Sequence, residues 1–281
     1  MSLIGSINRF LDLFIDSFRE LGRGRIWLLL GGYFAVQWLI LYAHVHFASP
    51  LVWGWMKVWL GLFPDHIANG FKHFPGHYLT LPYLFDWARF AIGLLFEGVV
   101  LGGVAMLFFD GMLDTPKSDR LSLKLLGPSW IHLVLGWLVL NGLMLAFAVV
   151  LPGWLESWLE GSPRRQLFVQ LGVIPGIFVV LLALFYFIIP SVALFGENAW
   201  QATRRSLRLF FRHPISMLVL SGLILVGPVA TSAIAGRSGL IVDKFHPDMV
   251  YWVLLAGLVV GTLASFFWMG TAVRFLIDEE D

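Results

Sequence analysis

Cysteine is absent from all 281 residues. Disulfides, thiolate metal sites and cysteine nucleophiles are therefore excluded, and the redox compartment leaves no mark. Charge is scarce as well: Asp, Glu, Lys and Arg make up 13% of the chain, against about 25% in a soluble domain. The formal net charge is +1, which removes the electrostatic case for nucleic acid as a partner. There is no Gly-x-Ser-x-Gly elbow, no Walker loop and no dinucleotide fingerprint. Nothing argues for an enzyme, and no cofactor is implied. The first 25 residues carry acids and bases throughout and no apolar core before Arg25, so a signal peptide is not expected there.

What fills the chain instead is hydrocarbon. Apolar residues account for 58% of it, gathered into stretches of about twenty, the length that crosses a bilayer as a helix. In lipid a backbone must satisfy its own hydrogen bonds, so each stretch is expected to be helical. Six spans are expected, over 26–47, 84–109, 129–151, 167–195, 214–235 and 249–275. The fold class is all-α and polytopic, a single transmembrane domain of three helical hairpins. An even number of spans puts both termini on one side. That side would hold twelve Lys and Arg, including Arg19, Arg23, Arg204 and Arg274. The other would hold seven, including Lys57, Arg89 and Arg164. The excess places both termini in the cytoplasm. A cell membrane, of the bacterial inner-membrane kind, is the expected location. Trp53, Trp55, Trp59, Trp154 and Trp158 fall in the outer loops, where an aromatic belt forms.

Three short segments share the order Ser, apolar, basic, any, apolar. They are Ser17-Phe18-Arg19-Glu20-Leu21, Ser122-Leu123-Lys124-Leu125-Leu126 and Ser206-Leu207-Arg208-Leu209-Phe210, and each precedes an odd-numbered span. Val99-Val100, Val179-Val180 and Val259-Val260 recur 80 residues apart in the even-numbered spans (179 − 99 and 259 − 179). Acids follow these spans: Asp110 and Asp114, Glu197, and Asp278 to Asp281. The reading is a threefold repeat over 1–114, 115–197 and 198–281, each unit an interfacial helix followed by a hairpin. Its repeats run parallel, unlike the inverted repeats of many transporters. In the first unit Ile4, Ile7, Leu11, Phe14, Phe18 and Leu21 recur at helical spacing and form one apolar stripe. In the third, Trp200, Thr203, Leu207 and Phe210 line one side of a helix, with Arg204, Arg205, Arg208 and Arg212 on another. Basic side chains beside an anionic leaflet gain about 1 kcal/mol each. They suit anionic lipid or a partner, and equally simple anchoring.

Pro190-Ser-Val-Ala-Leu-Phe-Gly-Glu197, followed by Ala202-Thr-Arg-Arg-Ser206, resembles the YciC-like six-helix membrane proteins. It is also similar to the membrane domain fused to some glycerophosphodiester phosphodiesterases. Pro190 has no clear counterpart at the ends of the second and sixth spans. The resemblance implies an integral membrane protein concerned with envelope upkeep, and no catalytic domain accompanies it in this sequence.

Few residues could carry chemistry. Glu97 lies near the middle of the second span, where an ionisable group costs about 2.5–3.5 kcal/mol and must face the interior, pair or be neutral. Asn141, mid-span in the third helix, is a candidate partner. The pair is read either as a polar clamp or as a proton or substrate site. Gly98 with Gly102, and Gly257 with Gly261, form Gly-x-x-x-Gly faces for close packing. Asp86 and Arg89, three apart, can pair on a helix. His44 and His46 end the first span, and His66, His73 and His77 occupy the loop after it. Imidazoles suit zinc, copper or iron, yet Pro75 and Gly76 between His73 and His77 argue against one shared helical face. Residues 51–63 are rich in tryptophan, too short to span, and expected to form an interfacial helix. Three functions are compatible with these residues. The first is a non-enzymatic scaffold or subunit bound to membrane lipids and other membrane subunits. The second is a transporter or permease component for a lipid or small amphiphile using Glu97. The third is an outer-face metal or haem protein.

Overall fold

Six helices long and apolar enough to cross a membrane form in the computed structural model, which describes residues 3–112 and 119–280. They are Gly24–Val45, Gly76–Met112, Ser129–Trp154, Pro163–Phe195, Pro214–Ala235 and Met249–Glu279. The shortest has 22 residues, or about 33 Å at 1.5 Å per residue, enough for a hydrocarbon core of about 30 Å. Among the described residues there is no strand. The protein is an all-α polytopic membrane protein.

In chain order the helices are α1 (Leu3–Ser17), α2 (Gly24–Val45), α3 (Pro50–Leu60), α4 (Asp65–Phe71), α5 (Gly76–Ile92), α6 (Gly98–Met112), α7 (Asp119–Trp154) and α8 (Glu156–Leu159). They continue with α9 (Pro163–Phe168), α10 (Ile174–Phe185), α11 (Ile188–Phe195), α12 (Ala199–Arg212), α13 (Pro214–Ala235), α14 (Ser238–Lys244) and α15 (Met249–Glu280). Two π-turns, Gly93–Glu97 and Val169–Val173, interrupt the second and fourth spans. Such wide turns are rare and arise at sites under special constraint.

Two expected boundaries shift. The second span begins at Gly76, because Pro82 sits inside α5 without ending it. In a membrane helix, neighbouring groups can satisfy the carbonyl that a proline frees. Arg89 thus lies thirteen residues into that helix (89 − 76) rather than at its outer end. The pre-span segment of the second hairpin is not a separate helix: α7 runs unbroken from Asp119 to Trp154. The side chains of Ile4, Ile7, Arg9, Arg120, Ser122 and Lys124 lie outside the described set, as do Asp114, Lys117 and Asp281 altogether.

The chain packs into two compact units. The first comprises Met1–Leu30, Leu94–Val226 and Leu263–Asp281. Its densest contacts join α6, α7 and α11. Gly98 lies directly against the α7 backbone. A Cβ built there would lie 2.5 Å from the Leu133 carbonyl oxygen and 3.0 Å from Trp137 Cβ. The N-terminal helix is secured by rings and charge. Phe14 and Phe18 lie 4.9 and 4.5 Å from Phe267 between centroids, and Trp27 stacks on Phe266 at 5.1 Å. The buried Glu20 carboxylate pairs with Arg23 and, at 3.2 Å, with Arg274. Arg23 also donates to the Gly111 carbonyl at 2.8 Å.

The break between α10 and α11 explains the proline motif. Pro190 has no N–H to give the Tyr186 carbonyl four residues back. Trp268 Nε1 of α15 donates to that carbonyl instead, at 3.0 Å. Ser206 of α12 serves the other two groups at the break. Its hydroxyl donates to Leu184 O at 2.8 Å and accepts from the Phe187 N–H at 3.1 Å. Ala202 and Ser206 are both fully buried. The small side chain admits α12 to the break, and the hydroxyl bonds it. Ser17, at the matching position of the first motif, is also fully buried and donates to Leu13 O at 3.0 Å.

The second unit comprises Gly31–Gly93 and Gly227–Thr262. Its core gathers Leu41, Met56, Leu60, Phe71, Phe85 and Val250. In α3, Met56 and Leu60 face inward while Leu51 and Trp55 are exposed, the pattern of a helix lying on an apolar boundary. Tyr78 donates to Asp248, Ser238 donates to Leu79 O at 3.2 Å, and Trp38 Nε1 donates to Tyr251 at 3.0 Å. These bonds bring α5, α14, α2 and α15 together.

Candidate functional site

Glu97 closes the π-turn Gly93–Glu97 and is half-buried in the first unit. A π-turn inserts one residue relative to an α-turn, so it rotates the remainder of the span by about 100°. Gly98, the next residue, meets α7 at Leu133 and Trp137. Asn141 lies one turn further along α7, where its carboxamide donates back to Trp137 O at 3.2 Å. Thr203, Thr231, Thr262 and Thr271 likewise bond carbonyls of their own helices. Asn141, Thr231, Thr262 and Thr271 thus serve helix backbones inside the apolar spans.

Arg89, in the second unit, is a further charged residue within the second span. Its guanidinium lies 5.9 Å from the Phe85 ring centroid and beside Gly261 of α15. Asp86 is one turn before it.

The histidines do not converge. His66 and His73 are exposed, whereas His77 is buried against Tyr78. Among the described residues no group of three His, Asp or Glu is placed to hold a metal ion. Pro75 caps α5 and separates His73 from it. His44 is buried edge-on to Phe71 and Phe85, with Nδ1 2.8 Å from Ile40 O. His46 makes the same bond to Tyr42 O at 3.0 Å. His246 lies 3.2 Å from Asp248 Oδ2, beside the Tyr78 contact. Sequence reading missed this Tyr78–Asp248–His246 link. Its partners are 170 residues apart, with no motif to join them.

A polar concavity lies on α12. Gly196, with φ of 65°, ends α11 in the left-handed region, which glycine reaches without strain. Asn198 then opens α12 through a capping box with Gln201. The capping interactions run both ways: the Gln201 N–H donates to Asn198 Oδ1 at 2.9 Å, and the Asn198 N–H donates to Gln201 Oε1 at 3.3 Å. Ala202, Ser206 and Leu209 are buried, so the opposite face is left for charge. There Glu197, Gln201, Arg204, Arg205 and Arg208 line a groove of about 400 Å³. Arg205 pairs with Glu197 at 2.9 Å and lies 4.2 Å over Phe195, and Arg204 lies 4.8 Å over Trp200. Arg212 stands apart. It pairs with Glu279 at 2.6 Å, with His213 3.5 Å from the same carboxylate. The expected cluster of four arginines is thus three around a groove and one tied to α15.

On the far side of the first unit a second groove, of about 510 Å³, lies among Pro152, Glu156, Glu160, Gln166 and Gln170. It borders the π-turn of the fourth span. Comparison with known family models, with curated proteins and with solved structures finds nothing that matches this chain.

Proposed function

We propose that this chain is a non-enzymatic integral membrane protein, a scaffold or subunit that holds lipid and partner subunits together in envelope upkeep. The observation that carries this reading is the use of polar groups in the spans. Ser206 and Trp268 bond the frayed backbone at the α10–α11 break, and Asn141 and several threonines bond carbonyls of their own helices. Such groups fix helices in place. Both termini are assigned to the cytoplasm from the excess of basic residues on their side. The resemblance to the YciC-like proteins agrees with it. Pro190 and Ser206, which carry that resemblance, both belong to the α10–α11 break.

A second reading is favoured by one observation: the π-turn that ends on Glu97. In a transporter or permease component for a small amphiphile, that carboxyl would exchange a proton. Glu97→Gln separates the two. A scaffold keeps its abundance, its thermal stability and its co-purifying subunits in the variant, and purified protein in liposomes drives no pH-dependent flux of lipid or amphiphile. Flux carried by the wild type and lost in Glu97→Gln replaces the scaffold reading with the transporter.

A further inference from the structure

The groove on α12 has a charge, a set of donors and a position, and together they select a ligand. Three guanidiniums and one carboxylate line it, so its local charge is +2 (3 − 1). Glu197 does not cancel the site. It holds Arg205 at 2.9 Å, with Phe195 beneath the guanidinium plane. Arg204 is steadied on Trp200. Held planar forks lose less freedom on binding, and they match the paired oxygens of phosphate. Gln201 adds a donor. Its carbonyl oxygen accepts from the Asn198 N–H, which leaves the side-chain NH₂ for the groove. Arg208, one turn beyond Arg204, makes no ion pair among the described residues and completes the ring.

The same helix says where the ligand comes from. Trp200 is 63% exposed and Phe211 74% exposed, on a helix too polar to cross a bilayer and joined directly to the span α13. Exposed tryptophan beside arginine is the composition of a helix in the headgroup layer. The groove therefore opens at headgroup level, on the side of both termini.

We infer that Arg204, Arg205 and Arg208, with Gln201, bind the phosphate monoester headgroup of a membrane lipid of the phosphatidic acid class. A monoester carries about −1.5 to −2 charges at neutral pH, with a second pKa near 6, and so balances +2. A phosphodiester headgroup carries one charge and leaves the site half neutralised. This deepens the proposed lipid-holding role, on which it rests.

The test uses the full-length protein, purified in detergent and titrated with phosphatidic acid, phosphatidylglycerol or phosphatidylcholine of matched acyl chains. Bound lipid is counted by native mass spectrometry. Phosphatidic acid is retained about fivefold over phosphatidylglycerol, the gain of one further matched charge. The Arg204→Gln/Arg208→Gln variant loses that preference, while Arg212→Gln, whose side chain serves Glu279, keeps it. Both sets of residues are exposed, and unchanged melting temperatures show that the variants fold. Equal retention of the two anionic lipids overturns the headgroup assignment and leaves the general lipid role standing. Retention of neither anionic lipid above phosphatidylcholine removes both. Displacement by soluble glycerol 3-phosphate moves the ligand from the membrane to the solvent, against this inference. A preference that survives the double variant places the site elsewhere.

Discussion

Replacing Gly98 with leucine abolishes the folded protein, and replacing it with alanine costs about 1–3 kcal/mol, the range for an overpacked interior. The cause is geometric. The atom that a new Cβ meets at 2.5 Å is the Leu133 carbonyl oxygen, part of the α7 backbone. No rotamer change relieves that clash, so α6 and α7 must separate along the contact that anchors the first unit. Gly31 is the control, because a Cβ there meets nothing within 4 Å, and alanine in a helix is at least as favourable as glycine. Thermal unfolding followed by fluorescence-detected size exclusion reads both. Equal melting points for Gly98→Ala and Gly31→Ala would show that α6 and α7 do not pack this closely.

Ser206→Ala is expected to destabilise by about 2–4 kcal/mol, because two buried backbone groups lose their partner at once. Ser206 bonds both the Phe187 N–H and the Leu184 carbonyl at the break, and water does not reach the fully buried Ser206. Trp268→Phe removes one donor, that to Tyr186 O, and costs about 1–2 kcal/mol. The two changes act on one joint, so the double variant should depart from additivity by at least about 0.5 kcal/mol. Strict additivity, or a Ser206→Ala protein as stable as the parent, would mean that the joint is not held in this way.

The spans are legible in the sequence because hydrocarbon imposes one rule on every residue in it. A run of about twenty apolar side chains has few alternatives to a helix. The α12 helix is legible for a related reason, since Ala202, Ser206 and Leu209 alternate with arginines at the helical period. Pro190 and the Ala-x-x-x-Ser motif can also be read as a motif, but their reason cannot. It depends on Trp268, 82 residues from Tyr186. The clamp of Glu20 on Arg274 joins residues 254 apart, and charge counting treats each as a topology signal. The π-turns leave no trace in composition, because one residue of extra winding changes neither hydropathy nor spacing over a short window. The four arginines of α12 look alike in sequence. Only the position of Glu279 separates Arg212 from the other three.

The measurement closest to the central claim is the mass of this protein extracted from its own membrane in polymer-bounded lipid discs, without detergent. A scaffold or subunit is recovered in a fixed ratio with a second protein species or further copies of itself, with lipid retained. Recovery of the single 31.7 kDa chain with lipid alone, at every protein concentration tested, contradicts that account.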